Sequence, residues 1–384
     1  MGGMAAGGSD VVVVGAGIAG CMLAYELAGR GARVTVLDRA GIGGEAAKAA
    51  AGILSPLIES EGPGPFLDLA LDSIRRFPPL AAALREEAGE DVELVRAGAL
   101  RVVFDEADEV VVRAALPWQR ATGSDARWLD RDAALALEPG LAPDVRGAAL
   151  CPDEYHVNSA RLLHALALAA GRRGVAFRTG TPALGLTRAG DRATGLRLPD
   201  GDLPAGAVVL AGGAWTGAWA RELGVPLPVG PVRGQVLVFR APAPPLARII
   251  FGPHGYLVAK PGGAVVAGTT EDRAGFATDV TAGGVATIAR VGLPLVPAVA
   301  AATFDHAAAG LRPWSPDGLP LLGPAPGWRG VYVDSGHHRN GILLAPGSAA
   351  LLADLLAGGP GGERSAPFAP ARFAAESRPD GQTP

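Results

Sequence analysis

The hydrophobic pattern of this chain changes period twice near its start. Four consecutive valines, Val11 to Val14, predict a strand buried on both faces, because such a strand shows no alternation with polar residues. The residues from Cys21 to Ala28 follow with helical spacing, and Val34 to Leu37 form a second apolar run that ends at Asp38. This order predicts a strand, a helix and a parallel strand at the start of an α/β fold.

A glycine-rich loop joins the first strand to the helix. Gly15, Gly17 and Gly20 are spaced as G-x-G-x-x-G. Gly15 permits a tight turn, Gly17 lets the backbone approach a pyrophosphate, and Gly20 lets the helix pack close to the strand. Asp38, at the end of the second strand, can accept hydrogen bonds from ribose hydroxyls. The complete pattern predicts a dinucleotide site and leaves open which dinucleotide binds.

The same reasoning predicts further helices and strands. The helix Leu67 to Glu87 is expected to break at Pro78 and Pro79, since proline removes a helical donor, and the strand Gly147 to Cys151 is expected to return to the first domain. Other predicted helices are Val110 to Thr122, Asp130 to Glu138, Asn158 to Arg173, and Gly341 to about Ala357. Other predicted strands are Leu100 to Phe104, Val175 to Phe177, Ala207 to Leu210 and Gly330 to Asp334, with antiparallel patterning at Gln235 to Phe239, Gly255 to Ala259 and Ala264 to Gly268.

Composition narrows the class of protein. A chain of 384 residues, 49% of them hydrophobic, is long enough for two domains. The net charge of -4 offers no basic surface, so we expect no nucleic-acid partner. Cys21 and Cys151 are the only cysteines, which excludes a disulfide framework and favours a reducing cytosol. The sequence has no apolar run long enough for a membrane span and no Cys/His cluster, so we expect a cytoplasmic protein without a metal site.

Three further motifs carry a resemblance to a known family. They are Lys48 to Leu54, Ala309 to Pro313 with Pro316 to Pro320, and, most specifically, Gly336 to Pro346. Together with the glycine loop, they make the sequence similar to the flavin-dependent amine and amino-acid oxidases of the D-amino-acid oxidase superfamily. Within that superfamily the resemblance points to the glycine oxidases of thiamin synthesis.

The resemblance implies an α/β fold with two domains. A Rossmann-like FAD-binding domain of the glutathione-reductase type would be built from the discontinuous segments 9–85, 150–228 and 310–362. An α+β substrate domain with a mixed or antiparallel sheet would comprise 86–149 and 229–309, and residues 363–384 would form a disordered tail.

The resemblance also implies that FAD is the cofactor. A helix that begins near Gly341 would present backbone N–H groups and its positive dipole end to the flavin edge where negative charge develops. The segment Gly41 to Leu54 has no Cys or His, and no Cys lies near Arg312, so the FAD is expected to be non-covalent. The implied cofactor-binding residues are Gly15, Gly17, Ile18, Ala19, Gly20, Asp38, Arg39, Ala46, Ala47, Ala51, Gly52, Ile53, Ala183, Gly212, His337, His338, Arg339, Asn340, Gly341, Ile342 and Leu343.

Three residues are implied to be catalytic. In the family, the residue matching Arg312 forms an ion pair with the substrate carboxylate, the one matching Arg339 lies in the same pocket, and Tyr256 matches a tyrosine that covers the ligand. A guanidinium fork fixes the plane of a carboxylate and thereby the position of the α-carbon. Hydride can leave the α-carbon of the neutral amine directly, so no histidine is assigned as a general base.

Some positions depart from the family pattern. Ala46 and Ala47 replace hydroxylated residues, so the cofactor loses side-chain hydrogen bonds there. Ile53 stands where a methionine is common, and His338 stands where an aromatic residue is common. These departures, together with Thr270, are expected to make the pocket more polar on one side. The identity of the substrate is therefore left open.

The resemblance implies oxidative deamination of a small amino acid or secondary amine of the glycine, sarcosine or D-amino-acid type. Hydride would pass to flavin N5, the imine would hydrolyse, and O2 would be reduced to H2O2. Two alternatives stay open. One is an FAD-dependent dehydrogenase with another electron acceptor, and the other is a non-catalytic FAD-binding subunit. No membrane partner is expected, and homo-oligomerisation is left undecided.

Overall fold

The computed structural model describes residues 9–359 and 362–377. Its helices are α1 Ile18–Gly29, α2 Pro56–Glu59, α3 Pro65–Ala88, α4 Glu106–Ala121, α5 Arg131–Leu137, α6 Ser159–Arg172, α7 Ala220–Leu223, α8 Ala282–Gly292, α9 Gly341–Leu356 and α10 Gly362–Ser365. Short 3-10 helices cover Ala46–Ala49, Gly213–Trp219, Leu293–Leu295, Pro297–Ala301, His338–Asn340, Ala366–Phe368 and Pro370–Ser377.

The strands form two large sheets and one small pair. They are β1 Ser9–Val14, β2 Val34–Leu37, β3 Ile53–Leu54, β4 Ala99–Val103, β5 Arg127–Asp130, β6 Gly147–Cys151, β7 Tyr155–His156, β8 Ala176–Arg178, β9 Gly185–Ala189, β10 Arg192–Leu198, β11 Gly201–Leu210, β12 Gly230–Arg240, β13 Ile249–Phe251, β14 Tyr256–Ala259, β15 Ala264–Gly268, β16 Thr303–Trp314, β17 Leu321–Pro324 and β18 Val331–Ser335.

The first sheet has a parallel centre. Its order is β17-β18-β11-β1-β2-β8, and β10 pairs with β11 on one side and with β9 on the other. Val11 and Val13 pack into the cluster formed with α1, α3, α6 and α9, while Val12 packs into the cluster on the opposite face. The valine run is therefore buried on both faces, as predicted. The parallel arrangement brings the carboxyl ends of β2, β1, β11 and β18 to one edge.

The second sheet is mixed. Its order is β16-β12-β15-β14-β13-β4-β6-β5, and only the pair β13 and β4 is parallel among the described strand pairs of this sheet. Its apolar face packs with Ala134 of α5 and Ile288 of α8 in one cluster. Strand β16, at one end of this sheet, contains the Ala309 to Pro313 motif and contacts the 3-10 helices Ala46–Ala49, Gly213–Trp219 and His338–Asn340.

Two predictions about single elements are wrong. Helix α3 runs without a break through Pro78 and Pro79. Burial of Ile74, Phe77 and Leu84 on one helix face holds the turns on both sides of the prolines, which offsets the lost hydrogen bonds. Strand β6 lies between β4 and β5 in the second sheet and does not return to the first, because a buried apolar run carries no information on which sheet it joins.

The tail also differs from the prediction. Of the expected disordered segment 363–384, residues up to Ser377 form short helices, while 378–384 lie outside the described residues. Phe368 and Phe373 are buried, and Arg372 donates hydrogen bonds to the Asp317 carboxylate and the Leu319 carbonyl at 2.7 and 2.9 Å. The burial of these two phenylalanines and the hydrogen bonds of Arg372 dock this segment on the rest of the chain.

The proposed division into two domains follows the two sheets except at two boundaries. Strand β6 crosses the boundary drawn at 150, and β16 crosses the one drawn at 310. Both strands belong to the second sheet. Boundaries placed after Cys151 and after Trp314, where β6 and β16 end, would keep each strand within one domain. The division into two domains stays a proposal.

Candidate functional site

A cavity of about 520 Å³ extends along the carboxyl edge of the first sheet to the second sheet. It is lined by all the sequence-predicted site residues except Gly20 and Leu343. Leu343 is fully buried in α9 and belongs to the core. A Cβ at Gly20 would clash with the Gly15 carbonyl oxygen, so Gly20 allows close packing of helix and loop and does not face the cavity.

The glycine loop forms a cradle of backbone groups. Gly15 has a φ of +118°, and a Cβ there would clash with the carbonyl of Ala211, the residue directly after the neighbouring strand β11. A Cβ at Gly17 would meet nothing within 4 Å and would project into the open space beside the helix terminus. Gly17 also begins α1 without a side-chain cap, so the first N–H groups of the helix are free to bind an anion.

Asp38 is held rigidly at the end of β2. Its Oδ2 accepts a hydrogen bond from Ala16 N–H at 2.9 Å, and its Oδ1 accepts one from Ala40 N–H at 2.8 Å. Each carboxylate oxygen keeps a further acceptor site for a ribose hydroxyl. Beside it, the Arg39 guanidinium stacks on Trp215 with 4.2 Å to the ring centroid. The cradle, the helix terminus and Asp38 together fit the ribose and pyrophosphate of a dinucleotide.

The start of α9 forms the middle of the cavity. Asn340 is its N-cap but makes no side-chain cap hydrogen bond, and Asn340, Gly341 and Ile342 line the cavity. The positive end of the helix dipole therefore faces the cavity and would stabilise negative charge there. Gly52 also lines the cavity and has a φ of +69°, and a Cβ there would clash with the Val157 carbonyl.

Arg312 projects from β16 at the far end of the cavity. Its Nη1 donates to the Thr270 carbonyl at 2.8 Å, and its Nη2 donates to Thr269 Oγ1 at 2.6 Å. Burial lowers the pKa of Arg312, yet a guanidinium remains a cation at neutral pH. Within the part of the chain that the structure describes, Arg312 forms no salt bridge, so its charge is available to an anionic ligand.

Arg339 is different because carboxylates already hold it. Its Nε lies 3.0 Å from Glu59 Oε2, and its Nη1 lies 3.5 Å from Glu271 Oε1. Attraction by Glu59 is the main cause that raises the pKa of Arg339. Glu59 itself lines the cavity at the end of α2. Sequence reasoning missed Glu59, since an acidic residue after a short helix carries no distinctive spacing.

Tyr256 lies on β14 and is buried against β15. A Cβ at Gly268 would clash with the phenol ring, so the ring packs flat on the backbone of the next strand. Burial raises the pKa of Tyr256, which keeps the hydroxyl protonated at neutral pH. Tyr256 and Arg312 both line the cavity.

The two histidines before α9 are both neutral at pH 7. Burial lowers the pKa of His337 to about 4, and its Nε2 lies 3.1 Å from Ser348 Oγ. Burial also lowers the pKa of His338 to about 4, and the positive charges of Arg312 and Arg339 act in the same direction. His338 Nε2 has no hydrogen-bond partner among the described residues. His338 is thus a neutral polar wall of the cavity.

A second acidic residue that sequence reasoning missed is Asp334, at the end of β18. It is 1% exposed and lines the cavity. The sequence does contain a signal for Asp334, because it follows the apolar residues of β18 near the carboxyl end of a strand in a parallel sheet, where ligands bind.

Within 9–359 and 362–377, no cluster of His, Cys, Asp and Glu suited to a metal occurs, and no helix has the length and apolarity to cross a membrane.

Comparison with known proteins decides the family. The model of the DAO family, FAD dependent oxidoreductase, matches residues 10–355. The chain belongs to this family of FAD-dependent oxidoreductases. The predicted family, its α/β fold and FAD as cofactor are thereby confirmed, and the glycine cradle, Asp38 and the α9 terminus fit that cofactor.

Relatives in the family cover nearly the whole chain. The glycine oxidase of Geobacillus kaustophilus is 36% identical over 349 residues, which are 90% of this chain and 92% of the relative. The glycine oxidase of Pseudomonas aeruginosa is 34% identical over 362 residues, 94% of this chain and 98% of the relative.

Solved structures agree with these relatives. The crystal structure of the Geobacillus kaustophilus glycine oxidase has a TM-score of 0.91 at 35% identity and covers 95% of this chain and 98% of that one. The iminodiacetate oxidase of Chelativorans has a TM-score of 0.84 at 29% identity, covering 94% and 98%.

Proposed function

We propose that the protein oxidises a small α-amino acid or secondary amine with a single carboxylate, of the glycine, sarcosine or D-amino-acid type, with O2 as electron acceptor. Two relatives that are glycine oxidases support the substrate class. Bound FAD supplies the two-electron acceptor for the hydride of the substrate α-carbon. The imine product then hydrolyses to a 2-oxo acid and ammonia or an amine.

The observation that carries the proposal is the difference between the two arginines of the cavity. Arg339 is neutralised by Glu59 at 3.0 Å, whereas the hydrogen bonds of Arg312 go to Thr269 Oγ1 and the Thr270 carbonyl. One guanidinium is therefore left for one carboxylate. A bidentate pair at Arg312 would fix the substrate plane and hold its α-carbon in place.

The charges of the site also favour the reactive form of the substrate. A guanidinium beside the bound amine disfavours the ammonium form and lowers the amine pKa. The neutral imidazole of His338 adds no positive charge. The α9 terminus presents N–H groups and its dipole where negative charge develops during hydride transfer. Each of these groups acts by position and electrostatics, and none needs to take a proton from the α-carbon.

We assign cofactor binding to the predicted residues that line the cavity. The ribose would lie at Asp38, the pyrophosphate at the first turn of α1, and the flavin between Gly52 and α9. Gly20 and Leu343 are assigned packing roles, since neither faces the cavity.

The proposal is tested with purified protein reconstituted with FAD. Glycine, sarcosine and D-alanine are added without oxygen while the visible absorption band of the flavin is followed, and H2O2 is then measured in air. We expect bleaching by at least one substrate and H2O2 at a matching rate. Bleaching with slow reoxidation in air would replace the oxidase with the dehydrogenase, and absence of bleaching by every substrate would favour the non-catalytic subunit.

A further inference from the structure

Asp334 is a buried carboxylate without a partner in a cavity that holds a ligand. Neither Oδ1 nor Oδ2 has a hydrogen-bond partner among the described residues. His337 Nε2 lies 3.5 Å from Asp334 Oδ1, beyond hydrogen-bond distance for this pair, and it lies closer, at 3.1 Å, to Ser348 Oγ. His337 is neutral because burial lowers its pKa to about 4, so it provides no counter-charge.

Such a group is costly in the protein without ligand. Burial raises the pKa of Asp334 to about 7, since the charged form loses its hydration and gains nothing in return. Donors that arrive with a ligand would offset this cost.

The register of the first sheet locates Asp334 relative to Asp38. Leu37 pairs with Val14, Val14 with Leu210, and Leu210 with Val333, so these four residues form one row across four strands. Asp38 and Asp334 each follow that row by one residue. With strands about 4.8 Å apart, the two carboxylates stand roughly 14 Å apart on the same edge.

The glycine loop lies between the two acids. It follows β1, one strand from β2 and two strands from β18. Ser335 Oγ donates to the Gly213 carbonyl at 2.9 Å, which ties the end of β18 to the turn after β11. A dinucleotide with its ribose at Asp38 and its pyrophosphate at Gly17 therefore passes Asp334 on the side beyond the pyrophosphate.

The chemistry of FAD on that side selects one group. The pyrophosphate is anionic and would repel a carboxylate, and the flavin edge at N1 and the C2 carbonyl offers only acceptors. The ribityl chain between them is neutral and carries hydroxyl donors. We propose that Asp334 binds the ribityl chain of FAD and accepts hydrogen bonds from its hydroxyls, as a counterpart to Asp38 at the ribose. This inference rests on FAD binding and does not depend on the identity of the amine substrate.

The first test compares FAD affinity with stability of the apoprotein. The dissociation constant of FAD is measured by fluorescence titration for wild type, Asp334→Asn and Asp334→Ala, and thermal unfolding is followed without FAD. We expect Asp334→Ala to weaken FAD binding by about tenfold or more, as for a lost hydrogen bond to a charged group, with apoprotein stability unchanged or raised. An unchanged dissociation constant with a less stable apoprotein would overturn the proposal and leave Asp334 a structural role.

The second test identifies the part of FAD involved. Wild type and Asp334→Ala are titrated with FAD and with analogues that lack the 2′, 3′ or 4′ ribityl hydroxyl. Wild type should lose about tenfold in affinity for at least one analogue, whereas Asp334→Ala should bind that analogue as well as it binds FAD. Asp38→Asn is the matched control and should keep the wild-type discrimination. Equal losses in wild type and Asp334→Ala would contradict the assignment, and failure of wild type to bind any FAD would instead contradict the proposed function.

Discussion

The two ends of the cavity are formed by different chemical groups, backbone N–H groups at one end and charged side chains at the other. At the end beside β1 and β2, backbone N–H groups and glycines form the surface, and Asp38 is held by two backbone donors. At the end beside the second sheet, Arg312, Arg339 and Glu59 form it with their side chains. In the function proposed above, the backbone end would bind the cofactor, and the side-chain end would select the amine substrate.

The two ends also differ in how the fold positions their groups. A glycine loop is placed by β1 and α1, which are adjacent in sequence, so its geometry is local. The charged end needs contacts between elements far apart in sequence, such as Arg312 of β16 with Thr269, and Arg339 with Glu59. Changes at the backbone end should therefore act on FAD, and changes at the other end on the amine substrate.

Loss of the free guanidinium should have the largest effect. Arg312→Leu should lower kcat/KM for glycine by about 10²- to 10³-fold, mainly through KM, because a buried charged pair contributes about 2 to 5 kcal/mol. FAD content should remain at the wild-type level. Arg240→Leu is the matched control, since Arg240 is an exposed arginine of the same sheet that pairs with Asp305. An unchanged KM in Arg312→Leu would remove the carboxylate role.

A methyl group added at the backbone end should weaken FAD binding and leave the kinetics with the amine substrate unchanged. Gly17→Ala places a Cβ in the space assigned to the pyrophosphate and should weaken FAD binding by on the order of tenfold or more, with normal kinetics once FAD is saturating. Gly283→Ala in α8 is the control, because its Cβ also meets nothing within 4 Å but lies outside the cavity. Equal FAD affinity in both variants would place the pyrophosphate elsewhere.

Removal of the Glu59 charge should change substrate preference. In Glu59→Gln the closer of the two ion pairs of Arg339 is lost, and only the 3.5 Å contact with the half-exposed Glu271 remains, so the Arg339 guanidinium becomes more available to a second carboxylate. The ratio of kcat/KM for iminodiacetate over glycine should rise by about fivefold or more, which corresponds to about 1 kcal/mol. Steady-state kinetics with both substrates measure this ratio. A ratio equal to that of wild type would show that Glu59 does not limit the site to one carboxylate.

The smallest effect concerns pH and the apoprotein. The pKa of Asp334 is raised to about 7 in the folded state, so the folded protein holds a proton that the unfolded chain releases, and stability falls as pH rises towards 7. Relative to Asp334→Asn, the free energy of unfolding of wild-type apoprotein should fall by about 1 kcal/mol between pH 6 and pH 8. Denaturant titrations at both pH values measure it, and bound FAD should reduce the difference. Parallel pH profiles of the two apoproteins would show that Asp334 does not titrate in this range.

The sequence predicts the backbone end almost completely. The valine run, the glycine spacing and Asp38 are local signals, and each lies where the pattern indicates. The side-chain end is less predictable. Arg312 and Arg339 were predicted from the family motifs that contain them. Glu59 was missed because its partner, Arg339, is 280 positions away in the sequence. The predictions that β6 joins the first sheet and that α3 breaks at its prolines were wrong, because tertiary packing decides both features.

The most direct measurement is an anaerobic titration of the FAD-reconstituted protein with glycine, carried out in parallel on wild type, Arg312→Leu and Gly17→Ala at saturating FAD. We expect glycine to bleach the flavin in wild type and in Gly17→Ala at similar concentrations, and in Arg312→Leu only at concentrations about 10²-fold higher or more. Bleaching of wild type and Arg312→Leu at the same glycine concentration would contradict it.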